Sequence, residues 1–311
     1  SKQHHEKSIC FVTGVPGAGK TLVGLNIANE RHQYDEQEHA VFLSGNGPLV
    51  AVLREALARD EIKRFKGKIT KTASKRKVAA FIQNIHHFRD AYLPPSEQVP
   101  AEKVAIFDEA QRAWTKEQTA KFMLKRHVPG WNMSEPEFLI SVMDRHQDWT
   151  VIICLIGGGQ EIHTGEAGLL AWFDALRDHF PDWNVYVSPQ ISDVEYTHGK
   201  PLEHLFTGLR LYREPNLHLS VSLRSFRNER VSAFVKSLLD ENLPVAQQLY
   251  SELSPNYPIT ITRSLEKAQE WIRAQARGTE RYGLIASSGA KRLRQFGIWV
   301  QSNIQAENWF L

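Results

Sequence analysis

Residues 14–21 of the chain read Gly-Val-Pro-Gly-Ala-Gly-Lys-Thr. They match the pattern G-x-x-x-x-G-K-[ST], in which glycines let backbone N–H groups close around phosphate oxygens. An apolar run at residues 9–12 precedes the pattern, and helical spacing of apolar residues follows it over residues 21–28. A strand, a glycine loop and a helix N-terminus together direct amide groups and a helix dipole at an anion. The sequence therefore predicts a phosphate-binding loop.

The pattern gives individual residues a chemical role. Lys20 is expected to reach the β- and γ-phosphates of a nucleoside triphosphate, and the Thr21 hydroxyl is expected to hold Mg²⁺. The residues predicted to contact the nucleotide are Gly14, Val15, Pro16, Gly17, Ala18, Gly19, Lys20, Thr21 and Leu22. Lys20 also counts among the predicted catalytic residues.

Length and composition limit the classes to which this protein can belong. A chain of 311 residues can form two domains, each with its own core. No apolar stretch approaches the roughly 18–20 residues of a membrane span, so we expect no membrane partner. Cys10 and Cys154 lie in apolar runs, as small buried side chains of a reducing compartment do. We therefore expect a cytoplasmic protein.

Apolar runs alternate with helical patterns, which predicts an α/β fold with a parallel central sheet covered by helices. The predicted strands are 8–13, 40–43, 104–107, 151–156, 219–223, 258–261 and 283–286. The predicted helices are 48–59, 77–92, 115–125, 165–178, 227–240 and 264–277. A proline-containing connector starts at about residue 181. We place the domain boundary after it, giving a first domain over 1–210 and a second over 211–311.

An acidic pair, Asp108 and Glu109, directly follows the predicted strand 104–107. Carboxylates at the C-terminal end of a parallel strand face the ligand-binding edge of the sheet. Asp108 is therefore a predicted metal ligand, together with Thr21. Glu109 is predicted to polarise the attacking water.

Residues 108–112 read Asp-Glu-Ala-Gln-Arg, which resembles motif II of the superfamily 1 helicases. The Gly-Gly-Gly-Gln turn at 157–160 is similar to motif III, and residues 219–226 are similar to motif IV. The resemblance implies that Gln160 senses the γ-phosphate and that Arg224 enters the ATP site from a second domain. An arginine there would stabilise charge developed during phosphoryl transfer. The alternative for Arg224 is a surface arginine or a partner of a carboxylate.

Residues 43–48 occupy the place of motif Ia, which grips a nucleic-acid backbone in superfamily 1. Ser44 and Asn46 can hydrogen-bond phosphates, and the glycines beside them allow close approach. The alternative is an ordinary glycine turn with a helix cap.

The wording of residues 43–50, 81–89, 157–165 and 282–290 is similar to a narrower group, the helicase-like domain of unknown function 2075, which is related to the Schlafen proteins. This resemblance implies a RecA-like P-loop NTPase that uses ATP and Mg²⁺. It also implies a second RecA-like domain, here incomplete, because nothing after Arg294 matches motifs V and VI. We therefore expect the remainder of a longer polypeptide as a further partner.

Eight basic side chains fall within residues 63–77, which contain no acid. Such a block can neutralise phosphates along a nucleic-acid strand, or it can be a solvated loop, and the sequence favours neither.

The leading hypothesis is an ATPase coupled to single-stranded DNA or RNA, as in a helicase or translocase core. The alternative is a nucleotide-gated regulatory or defence switch that unwinds nothing. A third possibility is a protein that binds nucleotide and barely hydrolyses it.

Overall fold

The structure is a computed structural model that describes residues 1–15, 17–34, 39–157, 168–192, 206–221, 227–255, 257–278, 282–284, 286–287, 289–300 and 305. The chain divides into two compact units. The first comprises Ser1–Leu223 together with Gln305–Leu311, and the second comprises Arg224–Ile304. The division lies later than the predicted boundary at residue 210 because two short strands between 210 and 219 belong to the sheet of the first unit.

The first unit is built on an eight-stranded sheet in which every strand pair is parallel. The strands are β1 (Lys7–Gly14), β2 (Ala40–Ser44), β3 (Ile82–Asn84), β4 (Val104–Asp108), β5 (Thr150–Leu155), β6 (Asn184–Val187), β7 (Arg210–Arg213) and β8 (His218–Leu219). Their order is β3-β2-β4-β5-β1-β6-β7, and β8 pairs with β1. This confirms the predicted α/β fold with a parallel sheet.

Seven helices in the described part of the first unit connect these strands. They are α1 (Lys20–Tyr34), α2 (Gly47–Arg64), α3 (Lys71–Phe81), α4 (Ile85–Ala91), α5 (Lys116–Lys125), α6 (Glu135–Asp144) and α7 (Leu170–His179). None of the helices in the described part of the chain combines the length and the apolar character that crossing a bilayer requires.

Side chains of the central strands alternate between two apolar layers, as the two-residue period of a strand requires. Phe11 of β1 lies in one layer, where its ring is 4.8 Å from that of Phe173 on α7. Val12 lies in the other layer, which α1, α2 and α3 cover. The sheet is therefore buried on both faces, and its C-terminal edge remains for the loops.

Helix α1 packs unusually close to the sheet, and Gly24 makes this possible. A Cβ atom on Gly24 would lie 2.8 Å from Leu155 Cδ1 and 3.0 Å from Ile106 Cγ2. This helix starts at the end of the predicted phosphate loop. Its close packing on β4 and β5 therefore fixes the loop relative to the acidic pair at the end of β4.

The predicted helix over 77–92 is interrupted by a strand. Residues 82–84 form β3 at the sheet edge, where they pair with residues 42–44 of β2. The Asn84 side chain then caps a new helix, α4, by accepting from the His86 N–H at 2.9 Å. Edge pairing and a local cap override the continuous helical pattern.

Helix α6 and the helix Leu243–Leu253 have no counterpart among the predicted helices, and β6 and β7 have none among the predicted strands. Helix α6 begins with a capping box, in which Ser134 and Glu137 bond each other's backbone N–H. The predicted strand 258–261 is irregular, and Ile261 is 98% exposed.

The second unit is helical in its described part. It contains α8 (Arg227–Leu239), α9 (Leu243–Leu253) and α10 (Leu265–Gln275). Helices α8 and α9 pack together, with the rings of Phe234 and Tyr250 5.8 Å apart. Since its described residues form no strand, an incomplete RecA-like fold stays a prediction for this unit.

Helices α2 and α3 are joined by a buried carboxylate. Glu55 on α2 is 4% exposed. Its carboxylate forms ion pairs with Arg59 at 2.9 Å, Lys71 at 3.2 Å and Lys75 at 2.7 Å. Burial acts to raise the pKa of Glu55, but the hydrogen bonds from the three cations outweigh it and lower the pKa. Ionised Glu55 therefore stabilises the packing of α3 on α2.

We expect Glu55→Gln to lower the free energy of unfolding by about 1–3 kcal/mol at pH 7, because hydrogen bonds to a charged acceptor are lost. The matched control is Asp60→Asn, which removes the exposed 2.7 Å pair with Arg64 and should change stability by less than about 1 kcal/mol. Because the folded pKa of Glu55 is lowered, the difference should shrink as the pH falls below 4.5. Equal denaturation midpoints for Glu55→Gln and the unsubstituted protein at pH 7 would contradict this.

Candidate nucleotide site

The predicted phosphate loop turns sharply from β1 into α1. Gly17 and Gly19 have φ angles of +78° and +88°, which favour glycine. The Ala18 N–H donates to the Val15 carbonyl at 3.1 Å, and the Val23 N–H donates to the Gly19 carbonyl at 2.9 Å. The first N–H groups of a helix have no acceptor within it, so this turn presents donors at the C-terminal edge of the sheet.

Strand β8 holds the start of the loop. The Val15 N–H donates to the Leu219 carbonyl at 3.1 Å, and a Cβ atom on Gly14 would lie 2.8 Å from Leu219 Cβ. Below this contact, buried Thr13 Oγ1 lies 2.6 Å from Ser188 Oγ and 2.9 Å from His218 Nδ1. Three strands therefore fix the base of the loop.

The Lys20 ammonium lies against its own loop. Its Nζ donates to the carbonyls of Gly14 at 2.7 Å and Val15 at 3.3 Å. Burial lowers the pKa of Lys20, while the charges of Glu109 and Asp108 act to raise it. A partly desolvated cation attracts an anion more strongly than an exposed lysine does.

Asp108 meets the loop across an intervening strand. Strand β5 lies between β1 and β4, yet the Thr21 hydroxyl donates to Asp108 Oδ1 at 3.1 Å. Asp108 is 7% exposed, and burial followed by the charge of Glu109 raises its pKa to about 6. Hydrogen bonds from Thr21 and Ser44 act in the opposite direction. The carboxylate therefore sits in a place where an added cation would stabilise its charge.

The donor set fits Mg²⁺. Thr21 and Asp108 supply hard oxygen atoms, and Mg²⁺ in proteins is bound through one or two carboxylates, waters and substrate phosphates. The described residues contain no cluster of three or more His, Cys, Asp or Glu side chains that would favour a metal cage. This is the arrangement expected of a cation that arrives with a phosphate ligand.

Glu109 is held in an unusual backbone conformation. Its φ of +53° and ψ of +47° lie in the left-handed region, which costs a non-glycine residue about 1–3 kcal/mol. Its carboxylate Oε2 accepts from Gln111 Nε2 at 2.5 Å. The strained turn and this hydrogen bond together aim the Glu109 side chain, which is half-buried beside Asp108.

Gln111 joins the acidic pair to the end of β5. Its side-chain Oε1 accepts from the Gly157 N–H at 3.1 Å, and its backbone carbonyl accepts from the Gly168 N–H at 3.1 Å. Gly157 and Gly168 flank the segment that contains Gln160. Gln111 is therefore bonded on both sides of that segment and to Glu109 as well.

A cavity of about 420 Å³ opens beside Thr21, Asp108 and Glu109. Its lining includes Trp114, whose backbone N–H donates to the buried Glu135 carboxylate at 3.0 Å. Arg89, which is fully buried, donates to the same carboxylate at 2.9 Å and lies 4.9 Å from the Trp114 ring. This ion pair braces the loop that follows the acidic pair.

The structure brings together the predicted residues of the first unit. Gly14, Val15, Gly17, Ala18, Gly19, Lys20, Thr21, Asp108 and Glu109 lie around one edge of the sheet. Leu22 also lies there and is 53% exposed. Pro16, Gln160 and Arg224 lie outside the described residues, so their roles stay predictions.

The two predicted nucleic-acid contacts differ in exposure. Ser44 is 1% exposed, and its hydroxyl hydrogen-bonds Asp108, so it supports the metal ligand rather than an open surface. Asn46 is exposed, and its Oδ1 caps α2 by accepting from the Leu49 N–H at 3.2 Å. Its amide N–H₂ group remains as a donor for a phosphate.

The sequence reasoning missed the roles of Gln111 and Leu219. Gln111 is the fourth residue of the Asp-Glu-Ala-Gln-Arg motif. Its place in this motif was the only sequence feature that pointed to its role. Leu219 begins the segment similar to motif IV, and its contact with Gly14 depends on the pairing of β8 with β1, which no local pattern encodes.

The raised pKa of Asp108 predicts that its ionised carboxylate lowers the free energy of unfolding. Without metal, an ionised buried carboxylate opposes folding above its folded pKa of about 6. Asp108→Asn should therefore raise the free energy of unfolding at pH 8 in EDTA, by up to about 3 kcal/mol. The gain should disappear as the pH falls from 6 towards 4, where Asp108 becomes protonated in the folded state.

Asp148→Asn is the matched control with the opposite sign. Asp148 accepts from Lys103, and this hydrogen bond lowers its pKa to about 2. Its removal should reduce stability at pH 8, and the loss should shrink at low pH. Denaturant titration measures the free energy of unfolding. If Asp108→Asn lowers it at pH 8, burial of the Asp108 charge does not oppose folding.

Comparison with known families agrees with this geometry. No curated protein is similar enough to the chain to count as a match. A family model described as the Schlafen group 3 DNA/RNA helicase domain matches residues 7–311, which is nearly the whole chain and includes both units. The expected RecA-like fold and the expected relation to the Schlafen proteins are thereby confirmed. The chain belongs to the Schlafen group 3 DNA/RNA helicase domain family.

Proposed function

We propose that this chain binds Mg²⁺–ATP and hydrolyses it in a manner coupled to single-stranded DNA or RNA. The observation that carries the proposal is the 3.1 Å hydrogen bond between Thr21 and Asp108. It places the last residue of the glycine loop beside the acidic pair, although 87 positions separate them along the chain. Phosphate binding and metal binding thus converge on one edge of the sheet.

Lys20 and the loop amides would hold the triphosphate. The ammonium lies 2.7 Å from the Gly14 carbonyl, at the mouth of the turn, and the N-terminus of α1 adds the positive end of a helix dipole. Thr21 and Asp108 would hold Mg²⁺, which when bound neutralises charge on the phosphate oxygens.

Glu109 would orient and deprotonate the attacking water. It follows Asp108 on the same strand end, and Gln111 fixes its carboxylate. Phosphoryl transfer is accelerated mainly by positioning and by electrostatic stabilisation, so a carboxylate with one defined orientation suits this role. Gln160 as a γ-phosphate sensor and Arg224 as an arginine finger complete the proposed set.

The family match supports the nucleic-acid part of the proposal, because the matched domain is described as a DNA/RNA helicase domain. Asn46, which is exposed at the start of α2, is the proposed backbone contact nearest the nucleotide. The cavity beside Asp108 lies between this residue and the acidic pair. A strand bound there would contact elements that also hold the metal ligands.

The first test is the rate of ATP hydrolysis with and without a single-stranded oligonucleotide. Lys20→Ala should lower kcat by about 10²–10³-fold, because it removes a donor to the transferring phosphate. Glu109→Gln should lower kcat by about 10²–10⁴-fold. Lys125→Ala is the matched control, since Lys125 is exposed and should leave the rate unchanged.

The outcomes separate the candidate functions. Oligonucleotide-stimulated hydrolysis that depends on Lys20 supports the proposal. Nucleotide binding with hydrolysis that no oligonucleotide stimulates would instead favour a nucleotide-gated switch. Hydrolysis that persists in Lys20→Ala would place the chemistry elsewhere.

Gln111 gives a second test, because it positions Glu109 without contacting the phosphate loop. Gln111→Met keeps the volume and removes both hydrogen bonds, and we expect kcat to fall about 10–100-fold, as for other residues that orient a catalytic group. The affinity for nucleotide should change by less than about twofold, since Lys20 and Thr21 are untouched.

Gln111→Glu is the companion variant. It keeps the acceptor for Gly157 but sets a second negative charge against Glu109, so its kcat should fall as well. An unchanged kcat in both variants would show that Gln111 does not position the catalytic carboxylate.

A further inference from the structure

Helices α2 and α3 form a hairpin whose net charge is opposite in sign to that of the rest of the chain. Residues 47–81 contain ten Lys or Arg side chains against three Asp or Glu, a net charge of +7. The whole chain has a net charge of +3, so all other residues together carry −4. Positive charge is therefore concentrated on one hairpin.

Folding divides the basic block at 63–77 into two groups. Four of its cations pair with acids of α2: Arg64 with Asp60, Lys71 and Lys75 with Glu55, and Lys77 with Glu61. This group stabilises the hairpin. All three acids of the hairpin are bonded to cations of this kind.

The other group is exposed and makes no ion pair with any residue that the structure describes. Its members are Arg76 on α3 and three lysines, Lys63, Lys66 and Lys68, at the end of α2 and in the turn that follows; we call these three lysines, with Phe65 among them, the corner patch. Lys66 and Gly67 have φ angles of +49° and +76°, so the chain turns tightly here. Phe65 is 49% exposed at the end of α2.

We infer that the corner patch is a second contact for the nucleic-acid backbone, separate from the nucleotide site. Three exposed lysines that form no ion pair with a described residue can displace counterions from a polyanion, and an exposed aromatic ring offers a base a stacking surface. The inference rests on the proposed function for its choice of partner.

A nucleic acid suits the corner patch better than a membrane surface does. Peripheral membrane binding requires an apolar face beside the cations, and the exposed positions of α3 are Lys, Thr, Ala and Arg. Phe65 is the one large apolar side chain of the patch. The patch therefore offers charge and stacking but little apolar area for insertion.

The position of the patch sets the length of strand that it requires. Helix α2 starts beside the cavity at Asn46 and has 18 residues, which corresponds to about 27 Å. At the roughly 3.4 Å per nucleotide of a stacked strand, about eight nucleotides cover this distance, and a more extended single strand needs fewer. A 20-nucleotide strand is thus long enough to contact Asn46 and the corner patch together.

The test compares two triple variants that remove the same charge. One is Lys63→Gln, Lys66→Gln and Lys68→Gln in the patch. The control is Lys116→Gln, Lys121→Gln and Lys125→Gln on α5, where the three lysines are also exposed and make no ion pair with a described residue. Binding of a fluorescent 20-nucleotide single strand is measured by anisotropy at several salt concentrations.

We expect the patch variant to bind the strand on the order of tenfold or more weakly at low salt. Its slope of log affinity against log salt should become shallower by about 2, since each lost phosphate contact contributes about 0.7. The control variant should keep the slope of the unsubstituted protein. ATP hydrolysis without oligonucleotide should be the same in all three proteins.

Three outcomes would overturn the inference. Equal losses in both variants would indicate a general effect of net charge, and an unchanged slope in the patch variant would show that the patch contacts no phosphate. Loss of binding to vesicles of anionic phospholipid, with strand binding intact, would assign the patch to a membrane. If the unsubstituted protein hydrolyses ATP but binds no strand, the nucleic-acid part of the proposed function fails as well.

Discussion

The contact between the Thr21 hydroxyl and the Asp108 carboxylate is the constraint on which the site depends. Thr21 lies at the start of the helix that follows β1, and Asp108 lies at the end of β4. Strand β5 lies between these two strands in the sheet. The contact therefore requires the correct order of β1, β5 and β4 and the close packing of α1 that Gly24 permits. The burial of Asp108 opposes folding, which indicates a position retained for chemistry rather than for stability.

A second set of bonds aligns the groups around this contact. Gln111 holds Glu109 and is bonded to Gly157 and Gly168, while Leu219 holds the start of the loop through Val15. Gln111 and Leu219 each stand beside a segment proposed to carry a further catalytic group, Gln160 or Arg224. Hydrogen bonds therefore join the flanks of both segments to the candidate site.

Sequence reasoning predicted the parts of this fold that local patterns encode. The glycine loop, the continuous apolar runs of β4 and β5 and the acidic pair each have a local signature. It failed where distant residues decide the outcome. The helix over 77–92 is broken because β3 pairs with β2. The roles of Gln111 and Leu219 depend on such pairings too.

The most direct measurement is a crystal structure of the protein with a non-hydrolysable ATP analogue and Mg²⁺. We expect the cation about 2.1 Å from Thr21 Oγ1, with Asp108 beside it and the terminal phosphate next to Lys20 Nζ. A nucleotide bound away from residues 14–21, or a cation that contacts neither Thr21 nor the surroundings of Asp108, would contradict it.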